Sequence, residues 1–286
     1  MKPHTLIPAR AALAAALLAC SCAAHADPKD FRTATWNLQG ASASTESKWN
    51  VNVRQLVSGA EAVDILAVQE AGQPPFNAVD TGRVLGRGTP VRELRWTLGT
   101  LRGASDPGTL FIYFADIDTG ARRVNLALVS NRQADDVFVV PPSTTVSRPV
   151  LGIRIGNDAF LSGHALASGG PDAEAMVESV HDFFQNHPNP QWQATNWMLL
   201  ADFNRPPGRL RAELEAPARN HTRVLDPGAP TQRQGNTLDY AVLGNAVGVI
   251  PDGLAASLTP SRRRTTQLSS DHFPVFFNPT GSGAQR

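Results

Sequence analysis

Polar residues that could do acid–base or metal chemistry follow several short apolar runs of this chain. The clearest run is Trp197–Ala201, which has the length of a buried strand and leads directly into Asp202 and Asn204. Other predicted strand ends carry further residues of this kind: Asn37, Glu70, His164, Asp239, Asp271 and His272. Because α/β sheets place their chemistry at the edge where strands end, we expect these side chains to share one site.

Each of these residues also has an ordinary structural explanation. Asp and Asn are common turn residues, and Pro206–Gly208 breaks the chain after Asn204. An acid such as Glu70 often marks a solvated strand end, and a lone histidine such as His164 is more often structural than catalytic. The recurrence of the pattern on several strands favours a site.

The chemistry of the set is that of oxygen ligands and histidines. Asn37, Glu70 and Asp271 offer hard oxygen donors that suit Mg²⁺ or Ca²⁺. Two histidines with carboxylate neighbours can supply a base and an acid. The sequence has no Gly-x-Ser-x-Gly elbow, no phosphate-binding Gly-x-x-x-x-Gly-Lys-Ser/Thr loop and no His-Glu-x-x-His helix. A divalent ion with a His–Asp base is what phosphodiester hydrolysis requires.

The first 26 residues predict a signal peptide. The basic residues Lys2 and Arg10 precede the apolar run Ala11–Ala19, and Ala24–Ala26 fits a cleavage site before Asp27. A lipidation box ending at Cys20 is the alternative. Both cysteines of the chain lie in this leader, so the exported remainder would hold no disulfide and would depend on its core for stability.

Residues 27–286 are predicted to form a single domain, since they contain no internal repeat, no long linker and no second apolar run like that of the leader. This part has 24 basic and 25 acidic side chains, which excludes binding to a polyanion by bulk charge. Local groups of arginines would have to bind a polyanionic partner. The candidates are Arg122–Arg123, Arg148 and Arg262–Arg264, although three loop arginines are equally typical of a solvated surface.

Hydrophobic patterns predict many strands and few helices. The clearest helix is Asp172–Phe184, with Asp172 as its cap and an apolar face; a shorter one spans Trp49 to Val57. Residues 72–90 predict a long surface loop, and Gly156-Asn157 predicts a hairpin turn. Strands are predicted at 31–36, 63–68, 91–98, 110–114, 124–130, 137–140, 149–155, 158–165, 197–201 and 237–243, with a short one after Pro274.

Six ordered motifs resemble the endonuclease/exonuclease/phosphatase superfamily, which has the deoxyribonuclease I fold. They are Trp36-Asn37, Val68-Gln69-Glu70, Gly163-His164, Leu200–Asn204, Leu238-Asp239-Tyr240 and Ser270–Val275. Within it, Ala34–Ser42, Glu46–Leu56, Asp64–Gly72 and Arg123–Ser130 resemble the B subunits of cytolethal distending toxins. The resemblance runs from about Phe31 to about Phe277.

The resemblance implies an α/β (α+β) fold, a four-layer sandwich of two packed mixed β-sheets flanked by helices. It implies a secreted, Mg²⁺-dependent endodeoxyribonuclease, with Ca²⁺ or Mn²⁺ as alternative ions. Such a toxin component would pass through the periplasm, join lectin-like delivery subunits, cut DNA in the host nucleus and arrest the cell cycle. A phosphoinositide phosphatase using the same site, and a non-catalytic interaction subunit, are the alternatives.

The resemblance also implies roles for single residues. Glu70, Asn37 and Asp271 would bind the metal, and Asp239 with His272 would activate water. Asp202 and Asn204 would orient water and phosphate, and His164 would act as an acid or phosphate donor. Arg123 and Arg148 would contact the DNA backbone. Related nucleases hold the first histidine with a glutamate; Glu93 is the nearby candidate in this chain.

Overall fold

The structure is a computed structural model that describes residues 27–40, 48–85, 90–99, 108–117, 124–142, 144–145, 147–167, 171–258 and 269–280. The predicted leader, with both cysteines, lies outside the described residues. So do Arg122–Arg123 and Arg262–Arg264.

Two β-sheets form the centre of the described chain. The strands of the first sheet are β1 Thr33–Asn37, β2 Ile65–Gln69, β3 Val79–Asp80, β4 Val91–Thr97, β5 Thr109–Ala115, β6 Leu126–Ser130, β13 Leu254–Leu258 and β14 Val275–Pro279. Their order across the sheet is β13-β14-β1-β2-β6-β5-β4-β3, in which β1 and β2 are parallel and the other pairs are antiparallel.

The strands of the second sheet are β7 Asp136–Val140, β8 Val150–Ile155, β9 Asp158–His164, β10 Asn196–Asp202, β11 Thr222–Leu225 and β12 Asp239–Asn245. Their order across the sheet is β11-β12-β10-β9-β8-β7, with β9 and β10 parallel. The predicted Gly156-Asn157 turn joins β8 to β9, as the sequence indicates.

Helical segments cover the outer faces. A π-helix, Lys48–Val53, runs into the short helix α1, Arg54–Leu56, on the first sheet. The second sheet carries α2 Asp172–Gln185, α3 Pro190–Gln193 and α4 Pro207–Glu213; two 3-10 turns lie at Pro28–Asp30 and Ala218–Asn220. In the part of the chain described, no helix is long and apolar enough to cross a membrane.

Strand alternation explains why the sheets stack as four layers. On β2, Ile65 and Ala67 point into the core between the sheets, and Leu66 and Val68 point to the other face, beneath the π-helix. On β10, Met198 belongs to the inter-sheet core. The next residue, Leu199, packs towards α2 on the opposite face. Both faces of each central strand are therefore buried, and the predicted four-layer sandwich is confirmed.

The predicted cap of the long helix is wrong. Pro171 occupies the N-cap position and makes no side-chain capping bond. The Asp172 carboxylate instead accepts hydrogen bonds from Ser147 Oγ (2.5 Å) and from the Leu166 backbone N–H (2.7 Å), and so joins two loops. The face predicted to be apolar is buried at Met176, Val177, Val180 and Phe184.

Three strands were not predicted from the sequence. They are β3, inside the predicted loop at 72–90, and β11 and β13. All three lie at sheet edges, where a strand is paired on one side only and carries a weak hydrophobic pattern.

A buried carboxyl group at the start of β9 predicts a pH-dependent stability. Asp158 is fully buried, and burial raises its pKa to about 7 despite a hydrogen bond from Asn196. The folded protein therefore binds the proton more tightly than the unfolded chain does. The free energy of unfolding should fall by up to about 4 kcal/mol as pH rises from 3.8 to 7.

Denaturant unfolding of the wild type and Asp158→Asn, at pH 4 and pH 8, measures this contribution. We expect the fall in stability between the two pH values to be smaller in the variant by a few kcal/mol. The same fall in both proteins would contradict the assignment.

Candidate active site

Strand register brings the predicted residues to one end of the two sheets. In the second sheet, Asp202 lies opposite His164 on β9 and opposite Asp239 on β12. In the first sheet, Asn37 is paired with Gln69 at the ends of β1 and β2, so that Glu70 follows directly. The two ends meet in a cleft of about 790 Å³. Its lining residues are Gln39, Lys48, Glu70, Val124, Arg148, His164, Ala167, Asp202, Asn204, Gln232, Ser269, Asp271 and His272.

Amide side chains join the two sheets at the floor of the cleft. Asn37 Nδ2 donates to Asp202 Oδ2 (2.9 Å) and to Glu70 Oε1 (3.2 Å). Behind it, the buried Gln69 Nε2 donates to Ser162 Oγ (3.1 Å) and to the Leu200 carbonyl (3.2 Å). The relative position of the two walls is therefore fixed by hydrogen bonds as well as by packing. The role of Gln69 was not predicted from the sequence.

His272 forms a buried pair with Asp239. Its Nδ1 lies 2.8 Å from Asp239 Oδ2, which leaves Nε2 on the cleft side, 3.7 Å from Asp271 Oδ1 and 3.9 Å from Asp202 Oδ2. Burial lowers the pKa of His272, but the hydrogen bond and charge of Asp239, with the charges of Asp202 and Asp271, outweigh it and raise the pKa to about 9. In the absence of a metal ion, His272 is a cation at neutral pH.

His164 has the opposite protonation state. Its Nε2 lies 3.7 Å from Asp202 Oδ2 and 3.9 Å from Glu70 Oε1. Burial lowers its pKa to about 4, against the charge of Asp202, so the ring is neutral at pH 7. Two histidines that flank one carboxylate thus hold different protonation states, as an acid–base pair requires.

Glu93 is not the partner of His164. It lies on β4 of the first sheet, fully buried, in an ion pair with Arg83 (2.9 Å). Its Oε1 also accepts from Thr81 Oγ1 and Gln133 Nε2. Within the residues the structure describes, His164 Nδ1 is buried and has no hydrogen-bond partner.

The carboxylates of the cleft fit a divalent cation. Burial raises the pKa of Asp202, Asp239 and Glu70, so their negative charge is costly to hold without a counter-ion. Ligand atoms of Asp202, Asp239 and His272 lie within 4.8 Å of one another. Asp239 Oδ1 and Asp271 Oδ1 are buried, without hydrogen-bond partners in the described part of the chain.

This cluster shares no residue with the predicted ligand set. Asn37, Glu70 and Asp271 lie in or beside the same cleft, but the compact cluster consists of Asp202, Asp239 and His272.

The backbone is strained where strands end at the site. Gln39, Glu70 and Asn204 have φ values of 50°, 47° and 48°, a left-handed region that non-glycine residues rarely adopt. Asn204 is both a turn residue and a site residue, the two alternatives that the sequence offered. Its backbone N–H donates to Asp202 Oδ1 (2.9 Å) in a turn, and the residue also lines the cleft. A Cβ on Gly40 would lie 2.5 Å from the Glu70 carbonyl, so only glycine fits where the ends of β1 and β2 touch.

Arg148 and Lys48 are the described basic side chains in the lining. Arg148 was predicted, and its Nη1 lies 3.3 Å from the His164 carbonyl. Arg123 cannot be placed, because it lies outside the described residues. Lys48, Gln39, Gln232 and Ser269 were given no role from the sequence, since a polar residue in a loop or helix carries no signal that it faces a cleft.

Comparisons with known proteins agree with this geometry. The profile of the Endonuclease/Exonuclease/phosphatase family matches residues 34–272. The B subunit of cytolethal distending toxin from Escherichia coli is 57% identical over 253 residues, which cover 88% of this chain and 93% of that protein.

Solved structures give the same result. The biologically active subunit of cytolethal distending toxin superimposes with a TM-score of 0.82 and 55% identity, over 88% of this chain and 98% of that one. A chain from the crystal structure of cytolethal distending toxin from Actinobacillus actinomycetemcomitans gives 0.81 and 45%, over 88% and 99%. The chain therefore belongs to the endonuclease/exonuclease/phosphatase family, as a metal-dependent phosphoester hydrolase that groups with the B subunits of cytolethal distending toxins.

Proposed function

We propose that this protein is a secreted, Mg²⁺-dependent endodeoxyribonuclease, the catalytic subunit of a toxin that cleaves host DNA and arrests the cell cycle. The observation that carries the proposal is the buried His272–Asp239 pair, which faces His164 across Asp202 in one cleft. Hydrolysis of a phosphodiester needs a group that takes a proton from water and a group that gives one to the leaving oxygen. Two histidines whose surroundings shift their pKa values in opposite directions can divide these roles.

The residues of the cleft divide this work. Water adds to phosphorus, its proton passes to a histidine base, and the bond to the leaving oxygen breaks as that oxygen gains a proton. Asp239 fixes the His272 ring with Nε2 towards the cleft. Asp202 and Asn204 orient water and phosphate, and neutral His164 is placed to donate a hydrogen bond to a phosphoryl oxygen. Glu70, Asn37 and Asp271 would hold a divalent cation, which would neutralise charge on the phosphoryl oxygens and, as a nearby positive charge, would favour the neutral form of His272 that can take a proton from water.

Basic side chains support a phosphate backbone as the substrate. Arg148 lines the cleft beside His164, and an arginine forms forked hydrogen bonds with phosphate. Arg123 is proposed to extend this contact. The second candidate is a phosphoinositide phosphatase acting at the same site, because a cleft of about 790 Å³ with Lys48 and Arg148 in its lining also suits a sugar phosphate head group.

Export and assembly belong to the proposal as well. The relatives are named as subunits of a toxin, so we propose that delivery subunits accompany this chain. The basic and apolar pattern of residues 1–26 supports export through the periplasm. Action on host DNA would place the protein in the host nucleus.

A plasmid-nicking assay tests the proposal. Wild type should nick supercoiled DNA with Mg²⁺ and not with EDTA, and His164→Ala should lower the rate by about 10²-fold or more. The matched control is His187→Ala, which removes a histidine stacked on Trp192 outside the cleft and should keep the wild-type rate. Folded protein without metal-dependent nicking would overturn the nuclease. Phosphate release from a phosphoinositide in the same samples would establish the second candidate.

A further inference from the structure

The turn Leu38–Gly40 connects three of the proposed metal ligands. Gln39 N–H donates to Asn37 Oδ1 (3.0 Å), and Gln39 Oε1 accepts from the Asp271 N–H (3.0 Å). Gly40 N–H donates to the Glu70 carbonyl (2.7 Å). Since Gln39 has a positive φ, this turn is strained and needs outside support to keep its shape.

Lys48 supplies that support. Its Nζ donates to the Leu38 carbonyl (2.9 Å) and to the Gln39 carbonyl (2.6 Å), so one ammonium group holds both peptide units of the turn. The residue is only 4% exposed, yet it lines the cleft. Burial lowers the pKa of this ammonium group, and the negative charges of Glu70 and Asp271 act against burial in favour of its charged form.

The position and type of this residue both point to a function. Lys48 is the first residue of the π-helix, an element that often marks functional sites. The chain has 26 basic residues, of which Lys2, Lys29 and Lys48 are the lysines. An ammonium is a compact charge whose three donors can reach two adjacent carbonyls, whereas a guanidinium is a planar fork that suits carboxylates and phosphates.

The helix that begins at Lys48 touches the site a second time. Ser269 Oγ donates to Asn52 Oδ1 (3.1 Å), two residues before Asp271. Ser270 Oγ donates to the Asn37 carbonyl (2.7 Å). The segment that carries Asp271 is therefore attached both to this helix and to the end of β1.

We propose that Lys48 is a positioning residue of the hydrolytic site: its ammonium group holds the Leu38–Gln39 turn, and through it keeps Asn37, Glu70 and Asp271 in place to receive a divalent cation. The proposal rests on the proposed function for the identity of these three ligands. Lys48 itself does not touch the reacting atoms in this role. Its loss therefore weakens cation binding before it affects substrate binding.

Binding of Mn²⁺ alone, measured by electron paramagnetic resonance of the free ion, tests this role. Lys48→Met keeps the apolar stem and removes the donors, so its affinity for Mn²⁺ should fall at least about tenfold. With DNA as substrate, kcat should fall and KM should stay near the wild-type value, with partial recovery of kcat at high Mn²⁺. Lys29→Met, which changes an exposed lysine paired with Asp27, is the control and should match wild type.

The outcomes separate this inference from the nuclease proposal. Wild-type Mn²⁺ affinity in folded Lys48→Met overturns the role of Lys48, whether or not the protein cuts DNA. If Lys48→Met loses Mn²⁺ affinity tenfold while the wild type hydrolyses neither DNA nor lipid, the role of Lys48 is supported and the proposed function is overturned. If Lys48→Met does not fold, Lys48→Gln is measured instead. Failure of both variants to fold, or absence of Mn²⁺ binding by wild type, overturns the inference.

Discussion

Asp202→Asn is expected to slow phosphodiester hydrolysis by 10²- to 10³-fold, on the order of the loss seen when one preorganised polar group is removed. Asp202 is 1% exposed and stands between the two histidines, with Oδ2 3.7 Å from His164 Nε2 and 3.9 Å from His272 Nε2. The substitution removes the charge that both rings face and keeps the size of the side chain.

The amide also cannot satisfy the donors that surround it. Asp202 Oδ1 accepts from the Asn204 N–H, and Oδ2 accepts from Asn37 Nδ2. An asparagine must turn its NH₂ group towards one of these donors, which costs about 1–3 kcal/mol for the unmade hydrogen bond. The ends of β10 and β1 should separate slightly as a result.

Relief of buried charge balances or exceeds this cost. Burial and the nearby charge of Asp239 raise the pKa of Asp202, so the native carboxylate is itself destabilising at neutral pH. We therefore expect the melting temperature of Asp202→Asn in EDTA to be equal to or above that of wild type, while activity falls.

Initial rates and thermal unfolding of the same samples check both expectations. The control is Asp136→Asn, a change on β7 of the same sheet that breaks a partly exposed ion pair with Arg154 and leaves the cleft intact. Its rate should match wild type, and its stability should change by less than about 1 kcal/mol. A rate for Asp202→Asn within threefold of wild type would remove Asp202 from the mechanism.

The sequence predicts the site better than it predicts the contacts that hold it. Alternating apolar runs locate the central strands, and strand ends then predict that Glu70, His164 and Asp202 converge, because parallel neighbours end at one edge. The register Asp202–His164 and the pairing of Asn37 with Gln69 confirm that convergence. His272 and Asp239 were paired by resemblance, and their 2.8 Å contact agrees.

Contacts between sheets have no comparable sequence signal. Glu93 was the candidate for an acid that the resemblance requires beside His164, yet it lies on β4 of the first sheet, whereas His164 lies in the second, and it forms an ion pair with Arg83. Lys48 lies in an amphipathic stretch, where a lysine predicts a solvated face. Its burial against the Leu38 and Gln39 carbonyls depends on where the turn Leu38–Gly40 lies in space, and the spacing of residues in the sequence does not predict that position.

Asp239→Asn is expected to lower the hydrolysis rate by on the order of 10³- to 10⁴-fold, with the main effect on kcat, as in other His–Asp pairs. Asp239 Oδ2 accepts from His272 Nδ1–H at 2.8 Å and thereby selects the tautomer and supports the cation. Without this carboxylate, the burial that already lowers the pKa of His272 prevails. His272 then becomes neutral at pH 7, with its ring free to choose the wrong tautomer.

The same variant should change how stability depends on pH. In wild type the pKa of His272 is raised from 6.5 to about 9, so its pairing stabilises the folded state fully below pH 6.5, and that stability is lost as pH rises through 9. The fall amounts to about 3 kcal/mol. The free energy of unfolding of Asp239→Asn should fall little between pH 6.5 and 9. Most of this window lies above the window of 3.8 to 7 assigned to Asp158.

Urea unfolding in EDTA at pH 6 and pH 10, with histidine NMR titration, measures both quantities. Asp226→Asn is the matched control, since Asp226 follows β11 in the same sheet and bonds only the Gly228 N–H among its described contacts. It should keep the wild-type rate and the wild-type fall in stability. A His272 resonance that titrates near pH 9 in Asp239→Asn would show that Asp239 does not set the charge of His272, and the role proposed for Asp239 would then lose its physical basis.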